Sequence, residues 1–483
     1  MCSSYLNVLA GAQRLDEAID CYRRALAVDP LHANALAQCA MAEGQVCDWS
    51  QRAVRQAEIV EHVAADRVAI VPFPFLAMSD DPALQRACAR QYWRRRGVVT
   101  TPRPAALAGR HERLRIGYCS ADFHDHATSY LMAEMFEAHD RARFEVFAYS
   151  YGPPKVGVMR QRVSVAFERF HDVGAESDAA VAGRIRADEI DVLVDLKGYT
   201  TDSRIEIFAR RPAPVQAHYL GYPGTLGTDF IDYFIADRFV VTEEAVAQFD
   251  ERVVFLPDSY QVNGRERAGA GRTTTRAQWG LPESGFVFCC FNNNYKITPE
   301  IFAVWMRLLA QVPGSVLWLL GATHWAEENL RREAQHSGIA PERLIFAPRT
   351  SFADHLARHR HADLFLDTVP VNAHTTASDA LWAGVPLVTC AGRSMASRVA
   401  GSLLSAAGLP ELVTYDLVSY ERLALQLARS PERLAALQAA LARTRAEGPL
   451  FDAARKTRQI EAAFTRMWEI ACRGEAPRSF AVD

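Results

Sequence analysis

The residues best suited to chemistry sit in two short strings, each following an apolar run. In "LDTVPVNAHTTASDALWAGVPLVT" a strand is expected to end at Asp367, a loop follows, and a helix is expected from about Thr376 to Ala383. His374, Thr375 and Thr376 then fall at a helix N-terminus, where free backbone N–H groups and the positive end of the helix dipole favour a phosphate. The two hydroxyls add donors, and Asp379, one turn further on, is placed to accept from a ribose hydroxyl. Simple capping by Thr375 explains the same pattern. "FNNNYKITPE" has the same placement: the strand "FVFCCF" ends, amide side chains follow, and Lys296 precedes a helix opening near Pro299. Lys296 can supply a point charge to a diphosphate. Standing alone it would read as a solvated lysine. Its coincidence with the His-Thr-Thr loop, both at strand carboxyl ends of one lobe, favours the phosphate.

Three further strings carry weaker signals. "FADHLARHRHADLFLD" contains His355, His359 and His361. The spacing of His355 and His359 can hold zinc, but the HExxH pattern and a third ligand are missing. Stacking of a histidine on a nucleobase fits better, with a surface helix as the plain reading of His359 and His361. In "CSADFHDHATSYLM", His124, Asp125 and His126 precede a helix, where an imidazole can act as a base or orient a hydroxyl. A capping Asp125 with two surface histidines is the alternative. The glycines of "GYPGTLGTDFIDY" would let backbone amides approach a ligand, or simply make a turn. Asp-x-Asp, the paired carboxylates that commonly hold a metal-bound sugar nucleotide, does not occur. Its absence favours charge neutralisation by Lys296 and a helix end. GxGxxG after a first strand and a P-loop lysine are also missing, which disfavours dinucleotide-dependent dehydrogenases and NTPases.

The elements that must position these residues alternate from Leu114 onward. "LRIGYCS", "FEVFAYSY", "IDVLVDLKGY", "VQAHYLGY" and "DYFIADRFV" read as buried strands with helical patterns between them. A second series runs through "FVFCCFNN", "VLWLLGA", "RLIFAP", "LFLDT" and "VPLVTC". These rhythms predict two doubly wound α/β lobes around parallel sheets, with a cleft between them and ligands beyond the strand carboxyl ends. "NGRERAGAGRTTTRAQ" between the series reads as an exposed interlobe segment. The stretch from about Ala453 to Cys472 places Ile460, Phe464, Met467, Trp468 and Ala471 on one helical face and is expected to pack back across the first lobe. Before the lobes, "LDEAIDCYRRALAVDP" puts Leu15, Ala18, Ile19, Tyr22, Ala25 and Leu26 on one face, at a spacing similar to the second helix of a tetratricopeptide repeat. An ordinary helical hairpin is the plainer reading. One such unit cannot bury its own faces, so it is expected to continue a longer array or to dock on the lobes.

The bulk properties exclude several classes. A chain of 483 residues with 49% hydrophobic and 23% charged residues is globular and holds about three domains. The net charge of -3 supplies no global field for nucleic acid or an anionic membrane. The basic run Arg94, Arg95, Arg96 lacks an aromatic platform and reads as a solvated helix face. Ten cysteines without a CxxC pair suit a reducing cytosol. No stretch approaches about 18 consecutive apolar residues, and the N-terminus lacks a secretory pattern.

Taken together, "CDW", "LRIGYCSADFHDHATSYLM", "GYTTDSRIEIFARRPAPVQAHYLGYPGT", "FNNNYKI", "NAHTTASDALWAGVPLVT" and "SRVAGSLL", in this order, resemble the catalytic region of the O-linked N-acetylglucosamine (O-GlcNAc) transferase family, in its bacterial, tetratricopeptide-containing form. The resemblance covers about Cys47 to Cys472. It implies a GT-B fold, two Rossmann-like lobes facing a cleft, preceded by a short helical tetratricopeptide-like segment. It also implies inversion at the anomeric carbon and no metal or other cofactor. By position, His126 is similar to the family's active-site histidine, and Lys296 to the lysine that stabilises departing UDP. Asn293 stands where the family has glutamine. His374, Thr375 and Thr376 match the diphosphate loop, Asp379 the ribose contact and His355 the uracil-stacking histidine. Thr350, Ser351, Phe352, Leu356, Ala357 and Arg358 line the base pocket. Ala127 stands where many relatives have proline. The long intervening domain of animal members is replaced by a short stretch near Gly264 to Gln278.

The organisation so implied is a tetratricopeptide-like segment (1–48), a helical linker region (49–112), an N-terminal catalytic lobe (113–262), an interlobe segment (263–282), a C-terminal lobe with the nucleotide-sugar site and closing helix (283–475) and a tail (476–483). The expected function is transfer of N-acetylglucosamine from UDP-GlcNAc to Ser or Thr of cytoplasmic proteins, with no nucleic-acid or membrane partner and a homo-oligomer left open. The alternatives are UDP-glucose or GDP-fucose as donor, or an inactive repeat-containing scaffold.

Overall fold

The computed structural model describes residues 14–106, 111–153, 155–267 and 272–483. Residues 1–13 of the expected repeat-like segment, 107–110 of the expected linker and 268–271 of the expected interlobe stretch lie outside them. The chain divides into two compact units, one of residues 89–265 and 449–483, the other of 1–88 and 266–448.

The first of these units is built on eight parallel strands: β1 (Leu114–Ser120), β2 (Phe144–Ser150), β3 (Arg169–Asp172), β4 (Val192–Asp195), β5 (Val215–His218), β6 (Tyr233–Asp237), β7 (Arg252–Leu256) and β14 (Phe480–Ala481). Their order is β14-β7-β6-β5-β4-β1-β2-β3. In register, Ile116 of β1 lies between Val146 of β2 and Val192 of β4. Helices cover the sheet, so β4 and β5 are buried along their whole length, which is why both read as continuous apolar runs. In the loop after β5 a Cβ on Gly221 would lie 2.1 Å from the Leu196 carbonyl oxygen. That glycine lets the chain close on itself rather than on a ligand.

The C-terminal helix Ala453–Cys472 belongs to this unit. Ile460, Ala463, Phe464, Met467 and Ile470 are buried, while Trp468 and Ala471 are only half-buried. Buried Glu461 fastens the helix: its Oε1 accepts from His139 Nδ1 at 2.9 Å and from the Asp140 N–H at 2.8 Å. His139 Nε2 in turn meets the Tyr118 hydroxyl at 2.9 Å. Burial, the larger effect, pushes the His139 imidazole down while Glu461 opposes it.

The other unit carries six parallel strands: β8 (Val287–Cys290), β9 (Val316–Leu320), β10 (Leu344–Ala347), β11 (Leu364–Leu366), β12 (Leu387–Cys390) and β13 (Val413–Thr414), in the order β10-β9-β8-β11-β12-β13. The order reverses between β8 and β11, as it does between β1 and β4 in the first sheet. A doubly wound sheet opens a crevice at such a point, beyond the strand carboxyl ends. The helical pair Leu15–Val28 and Ala33–Gln45 buries Ala18 and Tyr22 against Ala35 and Cys39. This segment docks on the six-stranded lobe. Trp49 packs on Phe302 with ring centroids 5.5 Å apart, Asn329 donates to the Val46 carbonyl at 2.8 Å, and Asp80 accepts from the Arg393 and Ser394 N–H groups. A repeat-like pair too short to bury its own faces is thus completed by the lobe beside it.

The buried Glu461 cluster sets a stability prediction. Glu461→Ala strands the His139 ring and the Asp140 N–H, which should destabilise the chain by about 2–3 kcal/mol, the scale of hydrogen bonds to a charged group. Thermal unfolding checks this, at roughly 2–4 °C per kcal/mol for a unit of this size. An unchanged melting temperature would show that the helix is held by its apolar face alone.

Candidate functional site

The crevice of the six-stranded sheet collects the strings that carry chemistry. Beyond β8 the chain passes Asn292 and Asn293 into the short turn Asn294–Lys296, then enters the helix Pro299–Gln311, capped by Thr298. Beyond β11 it runs from Asp367 through a cis Val369–Pro370 bond to the helix Thr375–Trp382. Strand order places these two loops side by side, and hydrogen bonds lock them. Lys296 Nζ donates to the Asn372 carbonyl at 2.7 Å, two residues before His374. Thr376 Oγ1 donates to Asn292 Oδ1, and Asn292 Nδ2 donates to Thr368 Oγ1 at 2.8 Å.

Asp367 organises the second loop. It is fully buried. Its Oδ1 accepts from the N–H groups of Thr368 at 2.7 Å and Ala373 at 2.6 Å, and its Oδ2 from Thr389 Oγ1 at 2.6 Å. Burial pushes its carboxyl up to about 6, against these bonds and the Lys296 charge. Burial likewise pushes the Lys296 amine down to about 8, with Asp367 opposing, and the His374 imidazole down to about 3, with Lys296 adding to the fall. His374 is therefore neutral, and its Nε2 meets the Ala396 carbonyl at 3.2 Å. The first intrahelical bonds run from the Ala377 and Ser378 N–H groups to the His374 carbonyl. The Thr375 and Thr376 N–H groups precede them, in the turn where a helix has no internal acceptors to offer. A lysine on one loop and the amide end of a helix on the other are groups that can together hold an anion.

The base-pocket residues separate into two groups. On the helix Phe352–Arg358, His355 and Arg358 share a face. Arg358 Nη2 donates to His355 Nδ1 at 2.7 Å, and the guanidinium lies 4.5 Å from the Phe291 ring centroid. The His355 ring meets Phe291 edge-on at 5.6 Å. Leu356, Ala357 and Arg358 are all buried, at 2%, 1% and 1% exposure, so of these four only His355 keeps an accessible edge. Ser351 caps this helix. It and Thr350 are exposed, and Phe352 is half-buried. Asp379 is buried. Its Oδ1 accepts from Arg267 Nη1 at 2.5 Å, and its Oδ2 lies 3.7 Å from His355 Nε2. Burial pushes its carboxyl up to about 6, against Arg267.

Two residues that the strings did not single out thus enter the site. Asn292 makes the bonds into the His-Thr-Thr loop, whereas Asn293 is exposed. Arg267, in the stretch that reads as exposed, has a side chain only 6% accessible.

In the other unit His126 follows β1, beside that sheet's own reversal point. It, rather than Asp125, caps the helix Ala127–Glu137: Nδ1 accepts from the Thr128 N–H at 3.2 Å. Asp125 accepts from the Met159 N–H instead. Asp122 Oδ2 lies 3.5 Å from His126 Nδ1 and is held by Lys197 Nζ at 2.7 Å. Partial burial, then the Lys197, His124 and Lys155 surroundings, push the His126 imidazole down, with Asp122 opposing. A neutral ring whose Nδ1 accepts a backbone N–H carries its proton on Nε2. The half-exposed edge of His126 therefore presents a donor, suited to holding an oxygen.

Comparison with known proteins places the chain among relatives. The model of glycosyl transferase family 41 matches residues 101–269 and 263–460. A relative from Arabidopsis thaliana, named probable UDP-N-acetylglucosamine–peptide N-acetylglucosaminyltransferase SEC, is 37% identical over 460 residues, covering 90% of this chain and 47% of the relative. The Caenorhabditis elegans UDP-N-acetylglucosamine–peptide N-acetylglucosaminyltransferase is 29% identical, covering 74% and 41%. The chain thus spans less than half the length of these two relatives. The solved structure of a Thermobaculum terrenum O-GlcNAc transferase mutant aligns over 98% of both chains with a TM-score of 0.76 at 28% identity. The two parallel α/β sheets are those of a GT-B-like fold, and the chain belongs to glycosyl transferase family 41.

Proposed function

We propose that the chain is an inverting glycosyltransferase that moves N-acetylglucosamine from UDP-GlcNAc onto serine and threonine hydroxyls of proteins. The observation that carries this reading is the 2.7 Å bond from Lys296 Nζ to the Asn372 carbonyl, which ties the cation to the loop bearing the Thr375–Trp382 helix start. The names of the Arabidopsis and C. elegans relatives support the donor and the acceptor class.

In the reaction, the acceptor hydroxyl oxygen forms a bond to the anomeric carbon as the bond from that carbon to the β-phosphate oxygen breaks, and the hydroxyl proton passes to an oxygen of the departing diphosphate. Negative charge then grows on the leaving diphosphate. Lys296 and the Thr375 and Thr376 N–H groups stabilise that charge, more strongly in the transition state than before it. With this charge already supplied by the protein, the reading requires no metal. His355, backed by the buried Arg358 and Phe291 side chains, forms the wall for the uracil ring, and Asp379 faces the ribose. His126, donating through Nε2, orients an oxygen rather than removing its proton. The nine cysteines among the described residues are free thiols, and among those residues no helix is long and apolar enough to cross a membrane. The free thiols support a cytoplasmic setting.

Three measurements test this reading. Mass spectrometry of nucleotide release from UDP-GlcNAc, UDP-glucose and GDP-fucose, with and without lysate proteins, should show UDP released from UDP-GlcNAc above the others. Preference for GDP-fucose would overturn the donor assignment. Lys296→Met should lower turnover by about a hundred- to thousandfold while leaving the melting temperature nearly unchanged. Near-normal transfer by the folded variant would remove Lys296 from the mechanism. Because the Lys296 amine sits at about 8, it is charged below that pH and loses its proton above it. UDP affinity should therefore be level up to about pH 7, fall about twofold by pH 8 and approach a tenfold fall per pH unit beyond that, a fall absent in Lys296→Met.

A further inference from the structure

The carboxylate of Asp379 and the imidazole of His355 are each clamped from behind by an arginine. Arg358 Nη2 donates to His355 Nδ1 at 2.7 Å. A guanidinium only donates, so the neutral His355 ring carries its proton on Nε2. Burial, with the nearby His359 and Arg358, holds that ring neutral. On the other side Arg267 Nη1 donates to Asp379 Oδ1 at 2.5 Å, and Arg267 Nη2 lies 3.5 Å from Ser378 Oγ on the same helix. The side chains of this pair are only 6% and 5% exposed.

What remains is a donor and an acceptor facing each other across a gap. His355 Nε2–H and Asp379 Oδ2 are 3.7 Å apart, too far for a direct hydrogen bond. A hydroxyl about 2.8 Å from each would fit at the apex of that triangle. It would accept from the imidazole and donate to the carboxylate, satisfying both. Only a group that can do both fits; a C–H in its place would leave a buried carboxylate oxygen unpaired.

We propose that Arg267 is a positioning residue of the nucleotide site: by occupying Asp379 Oδ1 it turns Oδ2 toward His355 and so makes the site select a ribonucleotide over its deoxy analogue. This rests on the donor-site reading above and adds to it the source of sugar selectivity. Arg267 lies 112 residues before Asp379 in the chain, where the two segments matched by the family model overlap. Without Arg267 the carboxylate loses its one strong cationic partner. It is then free to rotate or to take up a proton, and the two-sided contact with a hydroxyl is lost.

Calorimetric titration with UDP and with 2′,3′-dideoxy-UDP tests this on the whole chain. The wild type should bind UDP about tenfold or more tightly than the dideoxy analogue, the scale of a hydrogen bond to a charged group. Arg267→Met should weaken UDP by about that factor, barely change the dideoxy analogue, and so collapse the ratio. Arg267→Lys, which keeps the charge and is the milder change if the methionine variant folds poorly, should restore part of the ratio. Lys296→Met should weaken both nucleotides and leave the ratio intact. A wild-type ratio in folded Arg267→Met, or an equal loss of both nucleotides, would overturn the role of Arg267 alone. A wild-type chain that binds neither nucleotide would overturn the donor-site reading and this inference with it.

Discussion

Buried Asp367 is the constraint on which the anion site depends. Loops prefer the surface because their backbone polar groups need partners, yet the stretch from Thr368 to His374 has to pass beneath the site to deliver a helix start there. Asp367 makes this passage affordable to the fold. Its oxygens take the Thr368 and Ala373 N–H groups and the Thr389 hydroxyl, and its backbone carbonyl takes the Tyr420 hydroxyl at 3.0 Å. Its charge also opposes the loss of the Lys296 proton. The same loop offers its Asn372 carbonyl to the Lys296 amine, so one carboxylate organises the backbone that the cation is tied to.

The two units use one topology to different ends. Each sheet reverses its strand order once, and each reversal point carries titratable groups beyond the strand ends. In the six-stranded sheet these are Lys296, His374 and Asp379, arranged for negative charge and a hydroxylated sugar. In the eight-stranded sheet they are Asp122, His126 and Lys197. There the Lys197–Asp122 pair spends its charges on each other, and the exposed edge belongs to a neutral imidazole. On the proposed function, the first suits a charged leaving group and the second an uncharged oxygen.

Most of this was legible in the strings themselves. β1 coincides with "LRIGYCS" because its stretch from Ile116 to Ser120 is buried and largely apolar, with Leu114 and Arg115 at the half-exposed end. β3, half-exposed at the sheet edge, and the two-residue strands β13 and β14 carry no such signature. The Lys296 and His-Thr-Thr placements were readable because strand, loop and helix follow each other within a few residues. Other details were beyond local reading. Three consecutive amides follow β8, and only packing decides that Asn292 turns inward and Asn293 outward. The same holds for His126 taking the cap that Asp125 could equally have filled. Leu356, Ala357 and Arg358 share the base-pocket string with His355, yet all three are buried and only the imidazole keeps an accessible edge. Arg267 was hidden altogether: its string is rich in glycine, arginine and threonine, and its partner lies a hundred residues away.

The central claim is that one anion is held jointly by the Lys296 amine and the amide start of the Thr375–Trp382 helix. A crystal structure of the chain with UDP tests it most directly. The account predicts the β-phosphate within hydrogen-bonding distance of both Lys296 Nζ and the Thr375 or Thr376 N–H. A diphosphate seated away from that loop, or touching one of the two and not the other, would contradict it.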